Sequence, residues 1–278
     1  MINSKSSIDP NELRKLFPIF AKRSLVYLDS AATSQKPEIV ISTVKKFYDE
    51  YNSNVHRSIY DISQEATEAY EISREKIAKF LNIEKVNSII FTKGTTESIN
   101  LIAYSWVRHN LQKGDEILIT EMEHHSNIVP WQMLCEKTGS KLKVIPINDD
   151  GSLNMDEYKS LLTSAVKFVF INHVSNTLGI VNPVKEIIDL AHKNNSKVLI
   201  DGAQGAAHFK INLMELDVDY YVASAHKHTR RVLRILEYYN SQRSIGRKVI
   251  WVTCAGRSNA LSGVIAANTE YPVFACPP

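Results

Sequence analysis

Five predicted strands in this sequence are each followed by polar or ionisable residues that could together perform catalysis. The strands are SIIFT, EILIT, KFVFINHV, KVLI and YYVAS. The residues that follow them are Gly94, Thr95, Thr96, Glu121, Glu123, His124, His125, Ser175, Asn176, Thr177, Asp201, Ala203, Gln204, Ser224, His226 and Lys227. Ligands of open parallel sheets bind beyond the carboxyl ends of the strands, so we expect these residues to share one edge of a sheet.

These residue types suit a phosphorylated heteroaromatic cofactor. Gly94-Thr95-Thr96 opens a predicted helix and offers backbone N–H groups and hydroxyls to a phosphate. Asp201 can keep a ring nitrogen protonated, and the flat imidazole of His124 can stack on the ring. Lys227 can form a Schiff base if it is partly desolvated. The combination predicts a pyridoxal 5'-phosphate site.

Each of these residues also has a purely structural interpretation. Asp201 could accept hydrogen bonds from nearby backbone N–H groups, and a lone lysine is most often a solvated surface residue. Threonine commonly caps helices, which would account for Thr95 or Thr96. The His124-His125 pair is not a metal site without further ligands, so we expect no metal. The functional interpretation therefore depends on the combination.

The elements that must position these residues alternate between helix and strand. Apolar residues at three-to-four spacing predict helices such as PEIVISTVKKFYDEY, SQEATEAYEISREKIAKFL and VKEIIDLAHKNN. Cys135 lies on the apolar face of another predicted helix and is expected in the core. Strands separated by helices of this length predict an α/β fold with a mainly parallel sheet and helices on both faces.

Length, composition and charge exclude several classes of protein. The 278 residues are 44% apolar and 23% charged, which is typical of one large or two ordinary globular domains. A net charge of +3 does not indicate a nucleic-acid or anionic-membrane partner. Apolar runs are too short for membrane spans, and the N-terminus lacks a secretory signal pattern. Three cysteines without framework spacing favour a reduced, cytoplasmic protein.

The composition changes after Lys227. Residues 1–227 carry a net charge of −2 and use mainly lysine as the basic residue, whereas residues 228–278 carry +5 and use mainly arginine. Beyond the change, TRRVLRILEYYN predicts an amphipathic helix, and KVIWVTCAG and YPVFACPP predict strands. We therefore expect two regions, residues 1–227 and residues 228–278.

The first region resembles a known family. The segments YLDSAATSQKP, NVHRSIYDIS, FTKGTTESINLIA, EMEHHSNIVPWQ, HVSNTLG, IDGAQGAAH and SAHK are similar to those of group II, sulfur-mobilising cysteine desulfurases. These enzymes belong to the class V aminotransferases and have the aspartate aminotransferase-like fold. The resemblance extends from about residue 8 to residue 227. It implies an enzyme that converts L-cysteine to L-alanine and leaves a persulfide on an enzyme cysteine.

The resemblance also implies a role for each matching residue. Lys227 would carry the cofactor and shuttle protons, and His124 would stack on the ring and assist acid–base steps. Asp201 would bond the ring nitrogen of the cofactor, and Gln204 would bond its phenolic oxygen. The phosphate would be bound by Thr96, Ser224 and His226. Asn176 would contact the substrate carboxylate, and His56 would line the entrance. Such enzymes are homodimers in which the partner subunit supplies part of the phosphate site, and they hand sulfur to an acceptor protein.

The resemblance to the desulfurases ends at Lys227. The family continues with a glycine-rich turn and a C-terminal region that contains the nucleophilic cysteine and an arginine for the substrate carboxylate. In this sequence Lys227 is followed by HTRRVLRILEYYN instead. Cys254 and Cys276 are flanked by residues unlike those around the family's nucleophilic cysteine. We therefore expect impaired desulfurase activity, because the family's nucleophilic cysteine and carboxylate-binding arginine have no counterpart in this sequence.

Residues 224–278 resemble a second family, the animal-type aminoimidazole ribonucleotide carboxylases of purine biosynthesis. The similarity is carried by SAHK, LRILEYYN and VIWVTCAGRSNALSGVIAANTEYPVFACPP. It implies an acid–base role for His226 and a substrate loop at residues 255–259, although the family's GSxSD phosphate loop is missing. Two alternatives to the desulfurase therefore stay open: a partial carboxylase, and a non-enzymatic chimeric or truncated chain.

Overall fold

The computed structural model describes residues 9–30 and 32–225, together with the backbone of residues 251–254 and 273–276. The sheet of the first region contains β1 (Glu116–Thr120), β2 (Lys141–Ile145), β3 (Val166–Asn172), β4 (Lys197–Asp201) and β5 (Tyr220–Val222). These strands are all parallel and are ordered β2-β1-β3-β4-β5. The predicted α/β fold with a parallel sheet is confirmed.

Helices precede and connect these strands. They are α1 (Pro10–Lys15), α2 (Pro18–Lys22), α3 (Glu38–Lys46), α4 (Asp61–Leu81), α5 (Thr95–Ser105), α6 (Val129–Thr138), α7 (Met155–Leu161), α8 (Val184–Lys193), α9 (Gly205–His208) and α10 (Leu213–Leu216). Short 3₁₀ turns occupy Val86–Ser88, Val107–His109 and His125–Asn127, and a π-helical turn at Phe47–Tyr51 extends α3. The predicted helix around Cys135 is α6, and the thiol is buried as expected.

Two apolar cores cover the two faces of the sheet. Leu118, Val169 and Ile200 pack on one face against α7 and α8. Ile119, Phe170 and Leu199 pack on the other face against α5 and α6. Neighbouring strand residues point to opposite faces, and each face meets a helix layer, so these strands read as continuous apolar runs in the sequence.

The helices bury the residues that their spacing predicts. In α8, the side chains of Val184, Ile187, Ile188 and Ala191 are buried, at the i, i+3, i+4 and i+7 positions of one helix face. The remaining face carries the exposed ion pair between Lys185 and Asp189. Helix packing thus fixes which edge of the sheet receives each loop.

One predicted strand differs from the structure. SIIFT begins within a 3₁₀ turn at Val86–Ser88, and Ile89 is extended, but residues 89–92 belong to no ladder with strands β1 to β5. Arg74 donates to the carbonyl oxygen of Ile89, while the Ile90 side chain is largely exposed. β-rich composition gives an extended backbone here, but a strand also needs a hydrogen-bonded neighbour.

The second region contributes two described strands. β6 (Trp251–Cys254) and β7 (Val273–Cys276) pair in parallel, as a sheet separate from the five-stranded one. Both strands were predicted. The predicted helix TRRVLRILEYYN lies outside the described residues. No helix within the described part of the chain is both long and apolar enough to cross a membrane.

Candidate functional site

The carboxyl ends of the parallel strands bring most of the predicted residues to one edge. Asn172, the last residue of β3, is the ladder neighbour of Asp201, the last residue of β4. Asp201 is in turn the neighbour of Val222, the last residue of β5. His124 follows β1, and Ser224 follows β5. The edge that the sequence predicted is therefore the edge that the fold builds.

Thr95 and Ser224 meet although 129 positions separate them in the chain. The Thr95 and Ser224 hydroxyls are 2.6 Å apart, and the Thr95 N–H donates to Ser224 Oγ over 3.1 Å. Both residues are buried. The preceding Gly94 has φ +148° and ψ −179°, a conformation that only glycine adopts readily. This contact ties the N-terminus of α5 to the end of β5.

The loop after β4 lies so close to its neighbours that two positions require glycine. A Cβ on Gly202 would lie 2.1 Å from the Tyr221 ring, and one on Gly205 would lie 2.7 Å from the His173 ring. Between them lies Gln204, which is buried. Close packing therefore holds Asp201 and Gln204 on a rigid turn at the sheet edge.

Asp201 is almost completely buried, with 5% of its surface exposed. Its Oδ1 accepts a hydrogen bond of 2.9 Å from the Ala203 N–H. This bond agrees with the structural interpretation of the aspartate, but a buried carboxylate that faces a second buried carboxylate is costly for structure alone. The second carboxylate is Glu123, whose pKa the charge of Asp201 helps to raise.

His124 is half-buried and its ring is oriented by the following turn. Its Nδ1 accepts a hydrogen bond of 3.2 Å from the Ser126 N–H, and Ser126 Oγ lies 2.7 Å from the same nitrogen. Because Nδ1 accepts, the neutral ring carries its proton on Nε2. The ring also lies 4.0 Å from the His125 ring, measured between centroids.

Glu123 is a residue that the sequence analysis placed at the end of β1 but to which it gave no role in the site. Its carboxylate accepts hydrogen bonds from Thr120 Oγ1 (2.6 Å), Asn127 Nδ2 (2.7 Å), Asn172 N (2.9 Å) and Asn172 Nδ2 (3.0 Å). Burial raises its pKa to about 7, against the effect of these donors. The available signal in the sequence was an acid just after a strand and before a histidine pair.

Three predicted residues lie at the surface. Thr96 is exposed in the first turn of α5, and Asn176 is exposed in the loop after β3. His56 adopts φ +63°, and its Nε2 lies 2.9 Å from Glu71 Oε1 on α4. His56 thus contacts α4, and its entrance role stays a prediction. His226 and Lys227 lie outside the described residues.

The described residues fit pyridoxal 5'-phosphate by the chemistry of their donors. A buried carboxylate at Asp201 can bond a protonated ring nitrogen, and the N-terminus of α5 can receive a phosphate beside Thr95 and Thr96. His124 offers a flat ring at the same edge. Lys227 comes five positions after Val222 in the sequence, and Val222 is the ladder neighbour of Asp201. The residues that hold the cofactor would therefore come from three strand ends and the N-terminus of α5.

This fold and this arrangement define a class of protein. Residues 26–229 match the family Aminotransferase class-V, which is most of the chain, so the protein belongs to the class-V aminotransferases. Members of this family use pyridoxal 5'-phosphate, so the predicted cofactor is confirmed for the family.

Within this class, the chain is similar to cysteine desulfurases. The cysteine desulfurase of Synechococcus elongatus is 46% identical over 223 residues, which are 79% of this chain and 36% of that protein. A probable cysteine desulfurase of Halalkalibacterium halodurans is 47% identical over 224 residues, which are 79% of this chain and 55% of that protein. The predicted resemblance is confirmed.

Solved structures give the same result for the fold. The cysteine desulfurase CsdA of Escherichia coli superposes with a TM-score of 0.72 at 40% identity, over 80% of this chain and 55% of that one. The cysteine desulfurase of Thermococcus onnurineus superposes with a TM-score of 0.75 at 36% identity, over 81% and 55%. The chain thus spans about half the length, or less, of the desulfurases it matches.

The second predicted resemblance is also confirmed. Residues 210–278 match the family AIR carboxylase. The two matches overlap at residues 210–229, which include the shared Ser-Ala-His-Lys stretch. Part of the described site, including Val222 and Ser224, therefore lies where both families match.

Proposed function

We propose that this chain binds pyridoxal 5'-phosphate at the carboxyl edge of its sheet and acts on L-cysteine as a cysteine desulfurase-type protein. The observation that carries the proposal is the buried Asp201 carboxylate, which shares one sheet edge with His124 and the Thr95–Ser224 pair. The similarity to cysteine desulfurases supports the choice of substrate.

When bound, the cofactor supplies an electron-withdrawing ring that weakens bonds at the α-carbon of an amino acid. Asp201 would hold the proton on the ring nitrogen and so maintain that effect. The Thr95 N–H and hydroxyl, with Ser224, would receive the phosphate at the start of α5. Gln204, on the rigid turn after β4, would bond the phenolic oxygen, and Asn176 would contact the substrate carboxylate.

Proton transfer is assigned to His124 and Lys227. His124 carries its neutral-state proton on Nε2, because Nδ1 accepts from the Ser126 N–H. This nitrogen can donate a proton to a reacting group and take one back. Lys227 would hold the cofactor covalently. Once its amine is free of the cofactor, it would move protons at the α-carbon of the substrate.

We further propose that desulfurase turnover by these 278 residues is slow. Residues 228–278 resemble a different family, and Cys254 and Cys276 lie in a sequence context unlike that of the desulfurase nucleophile. A cysteine that accepts sulfur must be positioned against the substrate. We also propose a homodimer and a sulfur-acceptor protein as partners, on the basis of family resemblance alone.

The test is covalent trapping of the cofactor. The chain is incubated with pyridoxal 5'-phosphate, reduced with borohydride and digested, and we expect the added mass on the peptide that contains Lys227. Lys227→Ala should abolish the labelling, whereas the exposed Lys210→Ala should leave it intact. Labelling spread over several surface lysines, with no loss in Lys227→Ala, would contradict the proposal.

A second candidate function is supported by the match of residues 210–278 to AIR carboxylases. In that case His226 would act as the acid–base group and residues 255–259 as a substrate loop. The missing phosphate loop makes this the weaker proposal. Calorimetric titration with aminoimidazole ribonucleotide tests it, and binding that is lost in His226→Ala but retained in Lys227→Ala would favour it over the desulfurase proposal.

A further inference from the structure

Glu123 is a buried carboxylate to which the proposed cofactor chemistry gives no role. Only 8% of its surface is exposed, whereas Glu121, two positions earlier, is exposed. Four donor groups hold the Glu123 carboxylate between 2.6 and 3.0 Å. A glutamate that served only to cover the sheet would not need a fully satisfied, buried negative charge.

The groups that face Glu123 come from four elements. They are Thr120 from β1, Asn127 from the 3₁₀ turn after His124, Asn172 from β3 and Asp201 from β4. The first three are neutral hydrogen-bond donors, and the fourth is a second carboxylate. Asn172 lies between the two acids, since it bonds Glu123 and is the ladder neighbour of Asp201.

The two carboxylates therefore form a buried pair of like charge, linked through Asn172. Burial, with a contribution from the charge of Asp201, raises the pKa of Glu123 to about 7, although the hydrogen-bond donors favour its ionised form. A second negative charge close to Asp201 strengthens the attraction of this site for a cation, because the local dielectric is low. Asp201 is the member of the pair that would meet the ring nitrogen.

We propose that Glu123 is a positioning residue that acts on the cofactor ring through Asp201, because its negative charge makes the site prefer a ring whose nitrogen is protonated. This inference rests on the proposed function. It adds a prediction that the cofactor proposal alone does not make. The preference for a protonated ring nitrogen should depend on Glu123, which is connected to Asp201 through Asn172.

The test compares wild type, Glu123→Gln and the control Glu121→Gln. The two probes are pyridoxal 5'-phosphate and its carbocyclic analogue, in which C–H replaces the ring nitrogen. At pH 8 we expect Glu123→Gln to weaken binding of pyridoxal 5'-phosphate about tenfold, the effect of one unit of pKa coupling. Binding of the carbocyclic analogue should stay within about twofold, because that ring carries no charge for Glu123 to stabilise.

The pH dependence gives a readout that a packing role would not change. The Glu123→Gln effect on pyridoxal 5'-phosphate should shrink at pH 5.5, where Glu123 of the free site is protonated. Equal weakening of both probes would show a packing role and overturn the inference, as would wild-type binding in Glu123→Gln. If the wild type binds neither probe, the proposed function fails and the inference fails with it.

A measurement without cofactor tests the charge of Glu123 directly. Because its pKa in the folded chain is above the ordinary 4.5, folding favours the protonated form, so this group makes the chain less stable as pH rises from about 4.5 to about 7. Glu123→Gln should remove that part of the slope in urea unfolding, and Glu121→Gln should retain it. Identical slopes in all three chains would overturn the inference.

Discussion

The two ends of the parallel sheet both hold carboxylates that are largely shielded from solvent, but satisfy them in opposite ways. At the amino end, Asp219 accepts hydrogen bonds from Lys197 Nζ (2.7 Å), His192 Nε2 (2.8 Å) and Val198 N (2.9 Å). Burial by itself raises the pKa of Asp219, but these hydrogen bonds outweigh it and hold the pKa below its ordinary value. The Asp219 carboxylate is thus stabilised in its ionised form by the Lys197 ammonium and by two further hydrogen bonds.

At the carboxyl end, Glu123 is held by neutral donors and faces a second acid, Asp201. Its pKa is raised, because burial and like charge both disfavour its ionised form. A perturbation of this kind is typical of functional sites, where the missing charge is supplied by a ligand. The difference teaches that burial of an acid does not by itself mark the candidate site, whereas a raised pKa beside a second acid does.

The largest expected effect comes from Asp201→Asn, at the carboxyl end. The amide can still accept from the Ala203 N–H, but it cannot hold a proton on a ring nitrogen. Loss of a charge-assisted hydrogen bond of about 3 kcal/mol should weaken pyridoxal 5'-phosphate binding by about two orders of magnitude. Asp217→Asn, at an exposed left-handed position near the amino end, is the control.

Fluorescence titration with the cofactor measures this effect, and thermal unfolding checks that the variant folds. The Asp201→Asn chain should still unfold cooperatively without cofactor, because the amide keeps the hydrogen bond from the Ala203 N–H. Equal affinities for Asp201→Asn and Asp217→Asn would break the proposed distinction between the two ends.

A smaller effect, on stability instead of binding, is expected from Asp219→Asn at the amino end. At pH 7 the free energy of unfolding should fall by about 1–2 kcal/mol, because hydrogen bonds to charged groups are lost. The folded pKa of Asp219 is lowered, so the wild-type advantage exists above the ordinary pKa and disappears as pH falls through the folded pKa.

Urea unfolding of the wild type and Asp219→Asn at pH 7 and pH 3 measures this difference in stability. The cofactor affinity of Asp219→Asn should equal that of the wild type. The comparison between the ends would be wrong if Asp219→Asn weakened cofactor binding as strongly as Asp201→Asn, or if the stability loss were the same at both pH values.

The smallest effect is expected from His56→Asn, away from both ends of the sheet. Asparagine tolerates the φ of +63°, and the exposed pair with Glu71 contributes little. The free energy of unfolding should change by less than about 0.5 kcal/mol. A change in L-cysteine affinity with unchanged stability would support the predicted entrance role, whereas a large loss of stability would contradict the view that the ion pair is a weak surface contact.

Much of the site could be predicted because strand ends are visible in a sequence. EILIT, KFVFINHV and KVLI are apolar runs that stop at polar residues, and buried parallel strands must be apolar on both faces. The sequence therefore pointed to Asp201, His124 and Ser224 together. It placed Glu123 at the same edge but gave it no role, since its Asn172 partner is 49 positions away.

The sequence by itself determined the order of the elements and the edge where the polar residues collect, because helix and strand periodicity and strand parity are local properties. Tertiary structure alone decided that residues 89–92 join no ladder with the five-stranded sheet, that Thr95 meets Ser224, and that Glu123 and Asp201 share a buried network. The physical reason is that pairing, desolvation and charge coupling depend on distances in space, and these distances exist only after the chain has folded.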